Sequence, residues 1–235
     1  MTTKVEKVLL WDKFLKEWPV ERVQNMTLQE YSKAGDQNCL CYWVETTLRE
    51  LGSIKGGSSY KFGIYNRKNK NNKELKKQFR RDDDYAWEAK FGENKGEAFE
   101  KVKEEILTII DAVVSGRTEN IEHLFLWDVF KWKIAFLYQN KKVPEIIPVY
   151  KKEMLVTFLD DPNFGKDTPH WKLYKKFIEL MGSDDLLDFG AKVWQEWDKN
   201  TKFSTEKHFS ALDEDIKLNA KVLNQILFGP PGTGK

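Results

Sequence analysis

The chain has 235 residues, of which 40% are hydrophobic and 32% are charged. This composition is typical of a soluble globular protein with a substantial core, and it argues against a disordered chain. The formal net charge is only +2, so affinity for nucleic acid would have to come from a local patch. No apolar run approaches the roughly 20 residues that span a bilayer, so we expect a protein without a membrane partner.

The cysteines and histidines give no sign of a disulfide or a metal site. Cys39 and Cys41 are two residues apart, a spacing at which disulfides rarely form, and this fits a reducing cytoplasm. The three histidines, His123, His170 and His208, are scattered along the chain. None of them lies at ligand spacing from the cysteine pair, so the sequence predicts no bound metal.

The first 150 residues combine helical and strand patterns. Apolar residues at helical spacing predict a helix over residues 4–17, and Thr27 with Glu30 forms a capping box that opens a short second helix. A longer amphipathic helix is predicted over residues 97–114. Aromatic, β-branched or alternating residues predict strands elsewhere. The predicted strands cover residues 38–44, 60–65, 85–92, 132–138 and 146–149.

Beyond residue 150 the chain shows only helical patterns. Helices are predicted over residues 152–159, 169–181 and 184–199, followed by a polar linker. We therefore expect an α+β fold, in which a small mixed or antiparallel, aromatic-rich sheet or partial barrel is flanked by helices and followed by a helical appendage. The predicted domains are a recognition domain at 1–150, the helical appendage at 151–200, the linker at 201–222 and a last segment at 223–235.

Residues 66–81 form one strongly biased segment, called here the basic segment. Eight Lys and Arg residues stand against the single Glu74, which gives a local charge of +7. One interpretation is a solvated hairpin loop, with the three aspartates at 82–84 as internal partners. The other is an arm that contacts the phosphates of DNA. The basic residues are Arg67, Lys68, Lys70, Lys73, Lys76, Lys77, Arg80 and Arg81.

Aromatic side chains on the predicted strands are candidates for contacts with bases. Most of these rings must fill the core, because a small sheet buries one of its faces. Two or three rings that face a pocket could instead hold a base that is flipped out of a duplex. The candidates for this role are Trp43, Tyr60, Trp87 and Trp132.

Glu88 and Lys90 raise the alternative of a nuclease. With the aspartates at 82–84 they invite comparison with the D…E-x-K arrangement of metal-dependent nucleases, in which carboxylates hold Mg²⁺ and the lysine stabilises developing charge. The spacing argues against this interpretation, because the first aspartate of that arrangement lies on a preceding strand.

The last residues form a phosphate-binding motif. Residues 229–235 read G-P-P-G-T-G-K and follow the apolar run at 226–228, which is the strand-then-loop context that a P-loop requires. Backbone N–H groups of such a loop surround a phosphate chain, and the lysine reaches its outer phosphates. The Mg²⁺-binding Ser or Thr and the following helix would come after Lys235, so we expect an N-terminal piece of a longer nucleotide hydrolase. The predicted phosphate-binding residues are Gly229, Gly232, Thr233, Gly234 and Lys235.

Residues 223–235 resemble the start of an AAA+ module, in which a double proline inside the loop is typical. More narrowly, they resemble the McrB-type branch, the NTP-driven subunit of modification-dependent restriction systems. Residues 52–65, 87–92, 97–99 and 131–138 are similar to N-terminal regions found ahead of the motor in that architecture. The fold would then end at the first strand and P-loop of a truncated AAA+ module.

The resemblance implies that the N-terminal region recognises DNA, with or without a modified base, in a restriction or phage-defence system. It also implies ATP or GTP with Mg²⁺ as the cofactor of the full-length protein, a ring-shaped homo-oligomer, and a nuclease subunit as partner. The acidic strand, sensor and arginine finger of the family would lie beyond residue 235. We therefore assign no catalytic residue and expect no hydrolysis from this piece alone. A protein-interaction adaptor in front of the motor is the alternative function.

Overall fold

The computed structural model of the protein describes residues 2–68 and 76–199. Residues 69–75 of the basic segment lie outside the described residues, and two of its basic side chains, Lys70 and Lys73, are among them. The predicted linker and the whole phosphate-binding motif at 229–235 also lie outside them. The structure therefore bears on the N-terminal region, and the motor part of the sequence prediction stays a prediction.

The described chain divides into a large unit at residues 1–193 and a second unit from residue 194 onward, in which residues 194–199 are helical. The large unit has the expected α+β fold, with helices around a small antiparallel sheet. Within the described residues no helix is both long and apolar enough to cross a membrane. The helices of the large unit are α1 (Lys4–Glu17), α2 (Val20–Asn25), α3 (Leu28–Tyr31), α4 (Leu40–Tyr42), α5 (Lys95–Val114), α6 (Asp128–Tyr138), α7 (Lys152–Leu159) and α8 (His170–Met181), and residues 186–193 are also helical.

The sheet has three strands, and the last of them in sequence lies in the middle. Strand β3 (Tyr85–Glu88) pairs antiparallel with β1 (Ile64–Asn66) on one side and with β2 (Phe79–Arg81) on the other. The basic segment therefore connects the two edge strands of the sheet. The segment is not a hairpin loop, because β1 and β2 do not pair with each other and its last three residues are themselves β2.

Helices with strong local signals are confirmed by the structure. The predicted capping box of α3 is present, and the Thr27 N–H donates to the Glu30 carboxylate at 2.9 Å. Helix α5 buries its apolar face against α6 and the sheet, and α1 matches its predicted range. The helices predicted after residue 150 are confirmed as α7, α8 and the helical chain from residue 186 onward. These signals depend on neighbours three or four residues away, so the sequence shows them directly.

Two predicted strands are helical instead. Residues 132–138 belong to α6, in which every residue from position 130 to position 138 is buried. Because no side of this stretch is polar, its apolar run does not show the helical period, and the prediction of a central strand was wrong. Residues 38–44 were also wrongly predicted, since they form α4 and the start of a π-helical turn at Trp43–Thr47.

The strand predictions at 146–149 and 60–65 also need correction. The Gln139 side chain donates to the Ile146 carbonyl at 2.8 Å and accepts the Ile146 N–H at 2.9 Å. It takes the place of a neighbouring strand, so residues 146–149 lie outside the sheet. Within 60–65, a 3₁₀ turn occupies Ser59–Phe62 and β1 begins only at Ile64.

Candidate nucleic-acid interface

The two faces of the sheet have different surroundings. Tyr85 and Trp87 share one face, since alternate residues of a strand point the same way, and Nζ of Lys95 at the start of α5 lies 5.7 Å from the centre of the Tyr85 ring. This face is buried against α5. Tyr65 and Arg81 both pair with Ala86 across the sheet. They lie on the opposite face, called here the outer face, and both are half-buried.

Three rings meet on the outer face and form what we call the aromatic cluster. Tyr60 stacks on Phe79, with ring centres 3.8 Å apart and planes 21° apart. Tyr65 meets Tyr60 edge-on at 5.2 Å. All three rings are half-buried, so each keeps part of its surface open to solvent. Such rings can accept another planar group by stacking.

Positive charge lies beside the aromatic cluster. Burial raises the pKa of Tyr60 to about 12, although the charges of Arg67 and Arg81 act in the opposite direction. Tyr60 therefore remains a neutral hydrogen-bond donor at neutral pH. Arg67 is held in place by a 2.7 Å hydrogen bond from its Nη1 to the Asp82 carbonyl. The outer face thus combines stacked rings with arginines whose charge reaches the Tyr60 hydroxyl.

The described part of the basic segment is not one uniform arm. Lys68, Lys76 and Lys77 are exposed and can reach a phosphate backbone. Arg80 instead forms a two-pronged ion pair with Glu93, with both nitrogen–oxygen distances at 3.1 Å. The ion partner of Arg80 thus lies outside the aspartates at 82–84, and both interpretations of the segment stay open.

The four aromatic candidates lie in different environments in the structure. Trp132 is fully buried in α6 and stacks on His170, with ring centres 5.4 Å apart. Trp43 is buried in the π-helical turn, and Trp87 lies on the face that packs against α5, where its Nε1 donates to the Gly92 carbonyl at 2.9 Å. These three rings belong to the core, and Tyr60 alone among the candidates lies on the outer face.

The other two rings of the aromatic cluster were not among the candidates. Tyr65 follows directly on the predicted alternation of Tyr60, Phe62 and Ile64, but it points to the other face. Phe79 lies inside the basic segment, whose many charged residues do not predict a strand. No alternation marks this strand, because Phe79 is followed by two arginines, Arg80 and Arg81.

Glu88 and Lys90 form a structural contact. The Glu88 carboxylate accepts a hydrogen bond from Trp127 Nε1 at 2.9 Å and pairs with Lys90 Nζ at 2.6 Å. The Asp82 carboxylate faces Lys95 at 2.9 Å instead. In the part of the chain that the structure describes, no three carboxylate, histidine or cysteine side chains are grouped to hold a metal. The nuclease arrangement would need a second carboxylate beside Glu88.

A glycine-rich loop at residues 52–59, called here the glycine loop, leads directly into Tyr60. Two buried lysines lie beneath it. Lys61 Nζ donates to the carbonyls of Ile54 and Gly56 at 2.8 and 2.9 Å and also pairs with the Glu45 carboxylate. Lys133 Nζ donates to the carbonyls of Leu48 and Gly52 at 2.9 and 2.6 Å.

Comparison of the chain with models of known protein families, with curated proteins and with solved structures finds no match. The geometry of the outer face and the glycine loop therefore carries the functional argument for the described residues.

Proposed function

We propose that this chain is the N-terminal recognition region of an AAA+ NTPase that resembles the McrB-type subunit of a restriction system, and that its outer face contacts DNA. The observation that carries the proposal is the aromatic cluster of Tyr60, Tyr65 and Phe79 with arginine charge beside it. Proteins hold an unstacked base on an aromatic ring and bind its flanking phosphates with basic side chains. The half-buried rings and the exposed lysines of the basic segment supply both groups.

The motor part of the proposal is supported by the sequence at 223–235. In the full-length protein the P-loop would bind ATP or GTP with Mg²⁺, and the protein would form a ring and act with a nuclease subunit. We place the protein in the cytoplasm. The thiols of Cys39 and Cys41 are buried and free, which suits a reducing compartment.

The proposal is tested by measuring the binding of the full chain to fluorescent DNA over a range of salt concentrations. The probes are a single strand, an unmodified duplex and a duplex that carries a modified base. Tyr60→Ala is expected to weaken binding by about 1–3 kcal/mol, the usual cost of losing one stacked base, while the salt dependence stays the same. Reversing the charge of Lys76 and Lys77 to Glu is expected to weaken binding and to flatten its salt dependence.

The matched control reverses the charge of two exposed lysines elsewhere, Lys166 and Lys192. This double variant changes the net charge by the same amount as the Lys76 and Lys77 variant. If the two double variants weaken binding equally, the basic segment is not a specific contact. If the wild-type chain binds none of the three probes at low salt, the proposal is wrong.

A protein-interaction adaptor remains the second candidate, and an exposed apolar stripe on α1 favours it. Val5 and Leu9 are one helical turn apart and are 67% and 62% exposed. Exposed apolar pairs of this kind are common docking points for partner helices. The adaptor function predicts that Val5→Glu with Leu9→Glu abolishes capture of a partner, and that charge reversal at Lys76 and Lys77 leaves DNA binding unchanged.

A further inference from the structure

We propose that the glycine loop is a phosphate-binding site, and that it holds a backbone phosphate of the nucleic acid whose base stacks on the aromatic cluster. The inference rests on the proposed function, because it takes the ligand to be nucleic acid. It adds a site that depends on main-chain N–H groups in addition to the basic side chains of 66–81.

The carbonyl groups of the loop point into the protein. Those of Ile54 and Gly56 accept hydrogen bonds from Lys61, and that of Gly52 accepts one from Lys133. In a trans peptide the N–H of the next residue points the opposite way from the carbonyl. The N–H groups of Ser53, Lys55 and Gly57 are therefore directed away from the buried lysines.

The outward N–H groups include donors that no group of residues 2–68 and 76–199 uses. The Lys55 N–H donates to the Ser53 hydroxyl at 3.2 Å. Within the described residues, the N–H groups of Ser53 and Gly57 have no acceptor. Residues 55–59 are exposed. Unused, fixed N–H donors at an exposed glycine-rich turn are the groups with which proteins surround a phosphate.

The loop leaves room for a ligand to approach. Gly56 and Gly57 have φ angles of +97° and +69°, a conformation that favours glycine. A Cβ atom added at either position would meet no atom within 4 Å. These glycines are therefore required by the backbone conformation and not by crowding, and the space outside them is open.

Two buried lysines and one carboxylate lie behind the loop. Lys61 and Lys133 are 2% and 0% exposed, and Glu45 is the carboxylate that acts on both. Burial lowers the pKa of Lys133 to about 7, with Glu45 raising it and Lys61 lowering it further. A phosphate on the outer side of the loop would favour the charged form of Lys133. The carbonyl and N–H orientations thus favour an anion on the outer side of the loop, and Lys133 would add positive charge once the anion is bound.

The site is joined directly to the aromatic cluster. The Ser58 hydroxyl accepts the Tyr60 N–H at 3.2 Å and so caps the turn that carries Tyr60. A base on Tyr60 and a phosphate on the loop would thus be held by neighbouring residues. A nucleotide has the same juxtaposition, since its base and its phosphate are parts of one unit.

The test is the variant Ser58→Asp in the full chain. Aspartate caps a turn as well as serine does, so the loop is expected to keep its conformation, while the new charge repels a phosphate. Affinity for single-stranded DNA is expected to fall about tenfold. Thr168→Asp is the control, because Thr168 likewise accepts a backbone N–H, that of Gly165 at 2.9 Å, in the loop before α8. It adds the same charge and is expected to leave the affinity unchanged.

A second measurement identifies the source of the phosphate. The amide NMR signals of Gly56 and Gly57 are followed during titration with a single-stranded oligonucleotide and, separately, with inorganic phosphate. We expect shifts with the oligonucleotide that are absent in Ser58→Asp. A response to inorganic phosphate alone would overturn the assignment to nucleic acid, and no response to either would overturn the site.

The failure of this inference differs from the failure of the proposed function. If Tyr60→Ala loses DNA binding while Ser58→Asp binds as tightly as Thr168→Asp, the outer face binds DNA and the glycine loop does not hold its phosphate. If the wild-type chain binds no DNA, the proposed function is wrong and the loop is not a nucleic-acid site.

Discussion

Lys133 shows how a single buried side chain can make stability depend on pH. Its ammonium group lies in α6 with no exposed surface and bonds two carbonyls, those of Leu48 and Gly52. Burial lowers its pKa from the ordinary 10.5 to about 7. Between these two pH values the unfolded chain binds a proton that the folded chain does not bind. The free energy of unfolding therefore rises with pH across this window.

We expect the variant Lys133→Gln to lose this pH dependence. Glutamine keeps a hydrogen-bond donor for the carbonyls but does not titrate. Relative to the variant, the wild-type chain should gain about 2 kcal/mol of stability between pH 7 and pH 9, since one pKa unit corresponds to about 1.4 kcal/mol. Urea unfolding of both proteins at the two pH values measures the difference. Equal pH dependence in the two proteins would contradict the lowered pKa.

At the scale of elements, Gly52 shows why the glycine loop needs glycine at its start. Its φ angle is +88°, and a Cβ atom there would lie 2.4 Å from the Pro148 carbonyl oxygen and 2.6 Å from the Tyr150 ring. Both the conformation and the lack of space exclude a side chain. The loop thus begins with a close approach between two backbone segments that are far apart in sequence.

The variant Gly52→Ala is expected to cost about 3 kcal/mol or more of stability. Backbone strain and a collision with main-chain atoms both destabilise the folded chain, and the two costs are summed. Gly35→Ala is the matched control. Gly35 has a similar φ of +83°, and a Cβ atom there would meet nothing within 4 Å. The control is expected to cost about 1 kcal/mol, the contribution of conformation alone. Thermal unfolding of the two variants gives the comparison, and equal losses would show that the close approach to Pro148 is unimportant.

The elements that sequence predicted correctly are those with local signals. The capping box at Thr27 and the apolar stripe of α5 need no knowledge of distant residues. Helix α6 differs, because it is buried on every side, and a run such as 132–138 then has the same appearance as a buried strand. Its helical state is decided by packing against α5 and the surrounding core, which the sequence does not display.

Of the candidate site, only the residue types could be predicted from the sequence. Aromatic residues and the basic segment were visible, and Tyr60, Arg67 and Arg81 do lie together. Which rings share a face depends on strand register, and β1 and β2 are only three residues long. A shift of one residue exchanges the faces, so Trp87 and Phe79 could not be assigned to the correct sides from the sequence.

At the scale of the whole molecule, residues on both sides of position 150 share one core. The Tyr174 hydroxyl of α8 donates to the Val149 carbonyl at 2.8 Å, and the Tyr174 ring lies 5.1 Å from that of Trp132. A Cβ atom at Gly190 would lie 2.4 Å from the Pro148 side chain. The domain boundary predicted at residue 150 stays a prediction, but these contacts lead us to expect that the chain on either side unfolds together.

We therefore expect a fragment of residues 1–150 to lose cooperative folding, while residues 1–199 keep it. The shorter fragment would expose Trp132, whose ring packs against Tyr174 of α8, and the loss of such large aromatic contacts costs several kcal/mol. Urea unfolding, followed by tryptophan fluorescence and by circular dichroism, should give one coincident transition for residues 1–199 and for the full chain. A sharp transition of its own in the 1–150 fragment would show instead that the recognition domain ends near residue 150, and that α7 and α8 are a separate appendage.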